Sequence, residues 1–163
     1  MDLKDSGTRR EFSTSAVRDC ADGKGRCDLL PLGIIARVFF ETDEADPILT
    51  TIDRYIRDGD PYYIASAIRW FASKLAMDYS TMCLEVAKHY EDGARKYSER
   101  NWEKGIPLHC YIDSGVRHYL KWLRGDTDEP HDRAFVWNML GAIWTHVNRP
   151  EMIDLPFNEE DNK

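Results

Sequence analysis

A chain of 163 residues has the length of one domain and buries about 68% of its unfolded surface, enough for a continuous apolar core. With 42% apolar and 31% charged residues, and no run near the roughly 18 apolar residues of a spanning helix, the composition excludes a disordered chain and a membrane protein. Twenty-nine acids against 22 bases give a net charge of −7, which excludes a surface that coats nucleic acid but not a small phosphorylated ligand held by local cations or metals.

The N-terminus, MDLKDSGTRR, has no apolar leader, so a cytoplasmic location is expected. Cys20, Cys27, Cys83 and Cys110 form no CxxC pair and are expected as free thiols, Cys83 and Cys110 as small core filler. Residues 1–18 mix charges with Ser, Thr and Gly without any sustained period, and a flexible arm is expected there. A single all-α domain is expected over 19–150, with residues 19–28 as its lead-in and an acidic C-terminal tail over 151–163. In the lead-in, Lys24 and Arg26 flank Gly25; the spacing is not that of a P-loop, yet a glycine-rich arm with two cations can close over phosphates.

Pro31 opens a helix bearing Leu32, Ile35, Ala36 and Phe39. Asp46-Pro47 and Asp60-Pro61 each read as an N-cap followed by proline in the first turn, with Gly59 closing the first of these helices. The spacing then predicts helices over about 81–97, 108–123 and 132–147, the last ended by Pro150. No segment shows strand alternation between hairpin turns.

On the 81–97 helix, Glu85, His89, Asp92 and Lys96 follow a 4-3-4 spacing that stacks two carboxylates, an imidazole and an ammonium in one stripe, while Glu91 points away. Such a stripe is either a set of surface ion pairs or a ligand site. On the next helix Asp113 and Arg117 share a flank, and His118 projects about 140° from Asp113. An acid presented beside the core seam of a second helix is what a hard cation requires. Asn101 and Trp102 in the connecting linker either cover the bundle end or meet a base. Asn138 lies opposite the apolar arc of the last helix, facing solvent, a ligand or a second subunit. His131-Asp132, with His109 before it, is a weaker match to an HD phosphohydrolase, for which only Asp154 and Asp161 remain as later ligands.

The ordered runs GKGRCDLLP (23–31), EDGARKYSERNWEKGIP (91–107), YIDSGVRHYLKWLRGD (111–126) and VWNMLGAIW (136–144) together resemble the phage and bacterial family of dATP/dGTP diphosphohydrolases, itself similar to the all-helical MazG-like nucleotide pyrophosphohydrolases. The resemblance implies a MazG-like helical bundle, assembled as a homodimer or homotetramer, in the host cytoplasm if phage-encoded. It also implies hydrolysis of purine deoxynucleoside triphosphates to monophosphate and pyrophosphate with two or three Mg²⁺ or Mn²⁺ ions. Mapped onto this chain, it implies Glu85, Asp92 and Asp113 as catalytic metal ligands with His89, and Glu91 or His118 as substitutes, because the ExxE and ExxD pairs of MazG-like enzymes are not intact here. Lys24, Arg26, Lys96 and Arg117 become phosphate contacts, and Asn101, Trp102 and Asn138 base or sugar contacts. Residues 41–79 look like a helical insertion whose Tyr62, Tyr63, Trp70 and Phe71 cover the site or an interface. A non-catalytic nucleotide-binding or phage interaction module is the remaining alternative.

Overall fold

A computed structural model of the chain describes residues 7–38 and 44–157. Asp161, both chain ends and residues 41–43 of the expected insertion lie outside the described residues.

The fold is predominantly α-helical: α1 (Leu32–Val38), α2 (Pro47–Asp58), α3 (Pro61–Lys74), α4 (Tyr79–Lys96), α5 (Leu108–Arg124) and α6 (His131–Asn148). None of these is long and apolar enough to cross a membrane. Short 3-10 turns occupy Cys27–Leu29, Asn101–Lys104 and Pro150–Met152.

Local chemistry sets most of the boundaries. Asp46, Asp60 and Asp78 cap α2, α3 and α4 through their carboxylates, accepting from Leu49, Tyr62 and Thr81 backbone N–H groups at 2.8, 2.9 and 2.9 Å. Pro47 and Pro61 fill the first turns, where a missing donor is harmless. Gly59 closes α2 in the left-handed conformation (φ 72°), with the Phe157 ring packed against its Cα.

The centre is the α5–α6 pair, against which α3 and α4 pack, with α2 on α3 and α1 on α2. Glycines allow close approach: a Cβ at Gly141 would stand 2.3 Å from the Tyr111 ring, and one at Gly115 2.3 Å from Met139 Cε. Phe71, Tyr119, Trp122 and Phe135 form an edge-to-face aromatic cluster, with Phe71 and Phe135 centroids 4.7 Å apart. Phe71 is therefore core, whereas Tyr62 and Trp70 are exposed. Cys110 is buried as expected; Cys83 is exposed, because α4 turns Met82 and Val86 inward instead.

Two segments differ from the sequence reading. Within the stretch expected as a flexible arm, β1 (Arg9–Glu11) and β2 (Val17–Asp19) pair as an antiparallel hairpin. Its strands, Arg-Arg-Glu and Val-Arg-Asp, carry no apolar alternation, so tertiary contacts hold it: Ala16 is fully buried, and Thr14 donates to the Gly105 carbonyl. The tail also docks as far as it is described, with Leu155 buried and Phe157 against Tyr55 at 5.7 Å.

Candidate functional site

A cavity of about 790 Å³ opens between the hairpin, α4, the 98–102 connection, and the facing sides of α5 and α6. Its lining carries seven basic side chains (Arg10, Arg18, Lys24, Lys96, Arg100, Arg117 and Lys121) against four acidic ones (Asp19, Glu91, Glu99 and Glu129). In a chain of net charge −7 this is a local reversal of sign, and an enclosed basic wall attracts anions.

The hairpin roofs the cavity through polar clamps. Asn101 holds Val17 as a strand neighbour would, its Oδ1 accepting from the Val17 N–H and its Nδ2 donating to the Val17 carbonyl, both at 2.9 Å. Asp19 accepts from Lys96 Nζ at 2.7 Å and from the Tyr97 hydroxyl at 3.0 Å. Arg18 Nη2 donates to Asn138 Oδ1 at 2.9 Å, and the guanidinium lies over the Tyr111 and Trp137 rings. Asn138 is thus buried and faces the hairpin, its Nδ2 donating to the Ala134 carbonyl at 2.8 Å.

On α4 the inward face runs through Met82, Val86 and His89. His89, only 7% exposed, lies against the Trp137 ring at 5.6 Å, and its Nδ1 has no hydrogen-bond partner. Burial, reinforced by Arg133, Arg18 and Lys96, lowers its pKa to about 3, so the ring is neutral.

The expected carboxylate ligands are dispersed. Glu85 pairs with Lys88 at 2.5 Å outside the cavity. Asp92 accepts from Arg133 at 3.3 Å and lies 3.8 Å from Arg95. Asp113 is 2% exposed and accepts from the Cys27 N–H at 2.7 Å and from Arg117 at 2.6 Å. Arg117 also donates to the Gly25 carbonyl at 2.6 Å, so Asp113 and Arg117 together pin the glycine-rich lead-in beside the cavity. Among the described residues, none of these three carboxylates belongs to a group with metal-ligand spacing.

Of the other expected contacts, Lys24, Lys96, Arg117, Asn101, Trp102, Asn138, His89, His118 and Glu91 all line the cavity. Arg26 does not; it binds Asp28 at 2.5 Å. Trp102 packs edge-on against Trp144 at 4.9 Å and Tyr90 at 5.7 Å, so its ring also covers the bundle end.

Two groups with ligand spacing lie at the α5–α6 turn: His118, Glu129 and His131, and Asp126, Asp128 and His131, each with ligand atoms within 4.8 Å of one another. His118 and Glu129 line the cavity. His118 Nδ1 meets His131 Nδ1 at 2.8 Å, and His131 Nε2 meets Asp128 Oδ1 at 2.8 Å. The bond to His131 holds Asp128 down at about 2, so Asp128 is an accepting carboxylate. His131 donates from Nε2 to Asp128, which leaves its Nδ1 as the nitrogen it can offer an ion, in place of the His118 contact. Burial, followed by the Arg18 and Lys121 charges, holds His118 neutral, the form a metal requires. Imidazole nitrogens with a carboxylate suit transition ions such as Mn²⁺ or Zn²⁺, while the added oxygens of Asp126 and Asp128 suit Mg²⁺ or Mn²⁺. The donor set fits a divalent cation.

The sequence did not single out Arg10, Arg18 or Glu129, and it offered His131 only as part of an HD pair. Among the described residues the HD arrangement is not assembled. His109 pairs with Asp154 at 2.5 Å, and nine residues of α5, roughly 13 Å of helix, separate it from the His118–His131 contact.

No curated protein and no solved structure matches the chain. Residues 72–155, just over half the sequence and including α4, α5, α6 and both ligand-spaced groups, match the model of the family described as dATP/dGTP diphosphohydrolase, N-terminal. The matched stretch begins after most of the expected 41–79 insertion and after the 23–31 run. The chain belongs to the dATP/dGTP diphosphohydrolase family.

Proposed function

We propose that the chain hydrolyses purine deoxynucleoside triphosphates to monophosphate and pyrophosphate, using a divalent metal at the α5–α6 turn. The observation that carries this reading is the basic cavity sharing His118 and Glu129 with the ligand-spaced group, within a member of this family. A triphosphate needs both compensating cations and a metal at its reacting phosphorus, and the cavity wall supplies them side by side.

A bound Mg²⁺ or Mn²⁺ would polarise the phosphoryl group and lower the pKa of an attacking water. The chain's own residues do the rest. His118, Glu129 and His131, flanked by Asp126 and Asp128, would hold the ion, in place of Glu85, Asp92 and Asp113. Lys24, Lys96, Arg117 and Lys121 face the phosphates from the cavity wall and absorb charge as it moves to the leaving group. Trp137, between His89 and Tyr111, offers the base an apolar surface.

We also propose a homodimer through the outer face of α6. There Leu140, Ile143, Trp144 and Val147 line an apolar groove with Tyr90 and Trp102, and Leu140 and Val147 are exposed. Light scattering at twice the chain mass supports it; a monomer contradicts it.

Incubation with dATP or dGTP and Mn²⁺, resolved by ion exchange, tests the reaction. Equimolar monophosphate and pyrophosphate support it; orthophosphate, or nucleoside with tripolyphosphate, overturns it.

A further inference from the structure

The register of the hairpin sets Arg10 directly opposite Arg18. Like charges at a cross-strand position repel, and a hairpin that owes little to its own pattern has no local reason to keep them there. Both side chains line the cavity. Among the described residues neither forms a salt bridge; their neighbours are soft or neutral. Arg10 Nη2 donates to Cys110 Sγ at 3.4 Å with the guanidinium over Phe12, and Arg18 is held by Asn138 and the two aromatic rings. Arg10 Nε and Arg18 Nη1 are buried without any hydrogen-bond partner, and on the same cavity wall so is His89 Nδ1. A half-buried cation left without a counter-ion is costly, and two placed side by side with donors to spare describe a site for an anion of more than one charge.

We propose that Arg10 and Arg18 form a phosphoanion clamp that grips the two phosphates leaving as pyrophosphate. The identity of the anion rests on the pyrophosphohydrolase reading; the existence of the clamp does not. Asn138 is then a positioning residue, fixing the Arg18 plane through Oδ1, and Asn101 holds the strand that carries Arg18. The hairpin, lying outside the family match, becomes the part of this chain that reads the polyphosphate end of its ligand.

The test is calorimetric titration of the full chain with inorganic pyrophosphate in excess chelator, so that no metal contributes. The wild-type chain is expected to bind saturably. Arg10→Gln and Arg18→Gln are each expected to weaken binding at least about tenfold, the loss of a charge-assisted contact. Arg18→Lys, which keeps charge without the fork, should recover part of the loss. Glu85→Gln, at a surface pair outside the cavity, should bind pyrophosphate as wild type does. Cooperative thermal unfolding of each variant checks the fold, and if Arg18→Gln does not fold, Arg10→Gln and Arg18→Lys decide. Absence of pyrophosphate binding, unchanged affinity in the arginine variants, or equal affinity for orthophosphate overturns the clamp. A chain that binds pyrophosphate through these arginines but releases none from any deoxynucleotide keeps the clamp and loses the hydrolase reading. One that turns over substrate with affinity unchanged in both variants does the reverse.

Discussion

His118 on α5 and His131 at the start of α6 meet Nδ1 to Nδ1 at 2.8 Å, and the far nitrogen of His131 is taken by Asp128. Only the α5–α6 turn brings these rings together, and the contact orients a neutral imidazole at the edge of a basic cavity. His118→Ala and Glu129→Gln are each expected to lower kcat/KM at least about 100-fold with helicity retained. Glu85→Gln, which breaks only a surface pair with Lys88, should leave kcat/KM within about twofold. Steady-state kinetics with circular dichroism on the three variants checks this, and a large loss in Glu85→Gln would return the metal to α4.

Asp113→Asn should act through the lead-in. The carboxylate receives the Cys27 N–H and both oxygens meet Arg117, which itself holds the Gly25 carbonyl. Weakening that buried pair is expected to cost about 3 kcal/mol in denaturant unfolding and to expose residues 22–30 to proteolysis. Metal affinity measured by titration should stay within about twofold; a large fall would make Asp113 a ligand.

Asp46 is the most heavily used helix cap. Its Oδ1 accepts the Leu49 N–H at 2.8 Å, while Oδ2 accepts the Tyr119 hydroxyl at 2.5 Å with Lys74 at 3.6 Å. Asp46→Ala removes the cap and leaves the buried Tyr119 O–H without its acceptor, an expected loss of about 3 kcal/mol by urea unfolding. Asp60→Ala, whose cap is exposed, should cost only about 1 kcal/mol.

The pH dependence of stability follows from His89. Its folded pKa of about 3 lies below the unfolded value of 6.5, so below pH 6.5 the unfolded chain binds more protons and stability falls with pH. The loss begins near pH 6.5 and continues to about pH 3, amounting to about 2 kcal/mol by pH 5. His109 behaves oppositely. The bond to Asp154, then Cys110, raises it to about 10, so its contribution is full below pH 6.5 and is lost as pH rises through about 10. Thermal melts of wild type and His89→Gln from pH 7 to pH 5 check the first statement: the gap between them should shift toward the variant as pH falls. NMR titration of His109 in wild type and Asp154→Asn checks the second.

What was legible in the sequence was what local chemistry decides. The Asp-Pro pairs at 46–47 and 60–61 announced two helix starts, Gly59 a helix end, and the 3.6-residue period of 108–123 located α5 almost to the residue. The separation of His118 from Asp113 around α5 also held, Asp113 meeting the lead-in and His118 meeting α6. The hairpin was not legible, because strands of three residues with a charged majority owe their form to Asn101, Lys96 and Tyr97, which lie 77 to 84 positions away in the chain. The inward turn of His89 was not legible, since it rests on packing against the distant Trp137 ring, and Cys83, expected as core filler, is exposed. A ligand-spaced group split between two helices and their turn leaves no spacing signal that a single helix can show.

The measurement that bears most directly on the account is product analysis of dGTP and dATP incubated with the chain and Mn²⁺, alongside His118→Ala and a chelated control. Monophosphate and pyrophosphate in equal amounts are expected from the wild-type chain alone, with the activity restored when Mn²⁺ is returned to the chelated sample. Undiminished turnover in His118→Ala, or any other product pair, would contradict it.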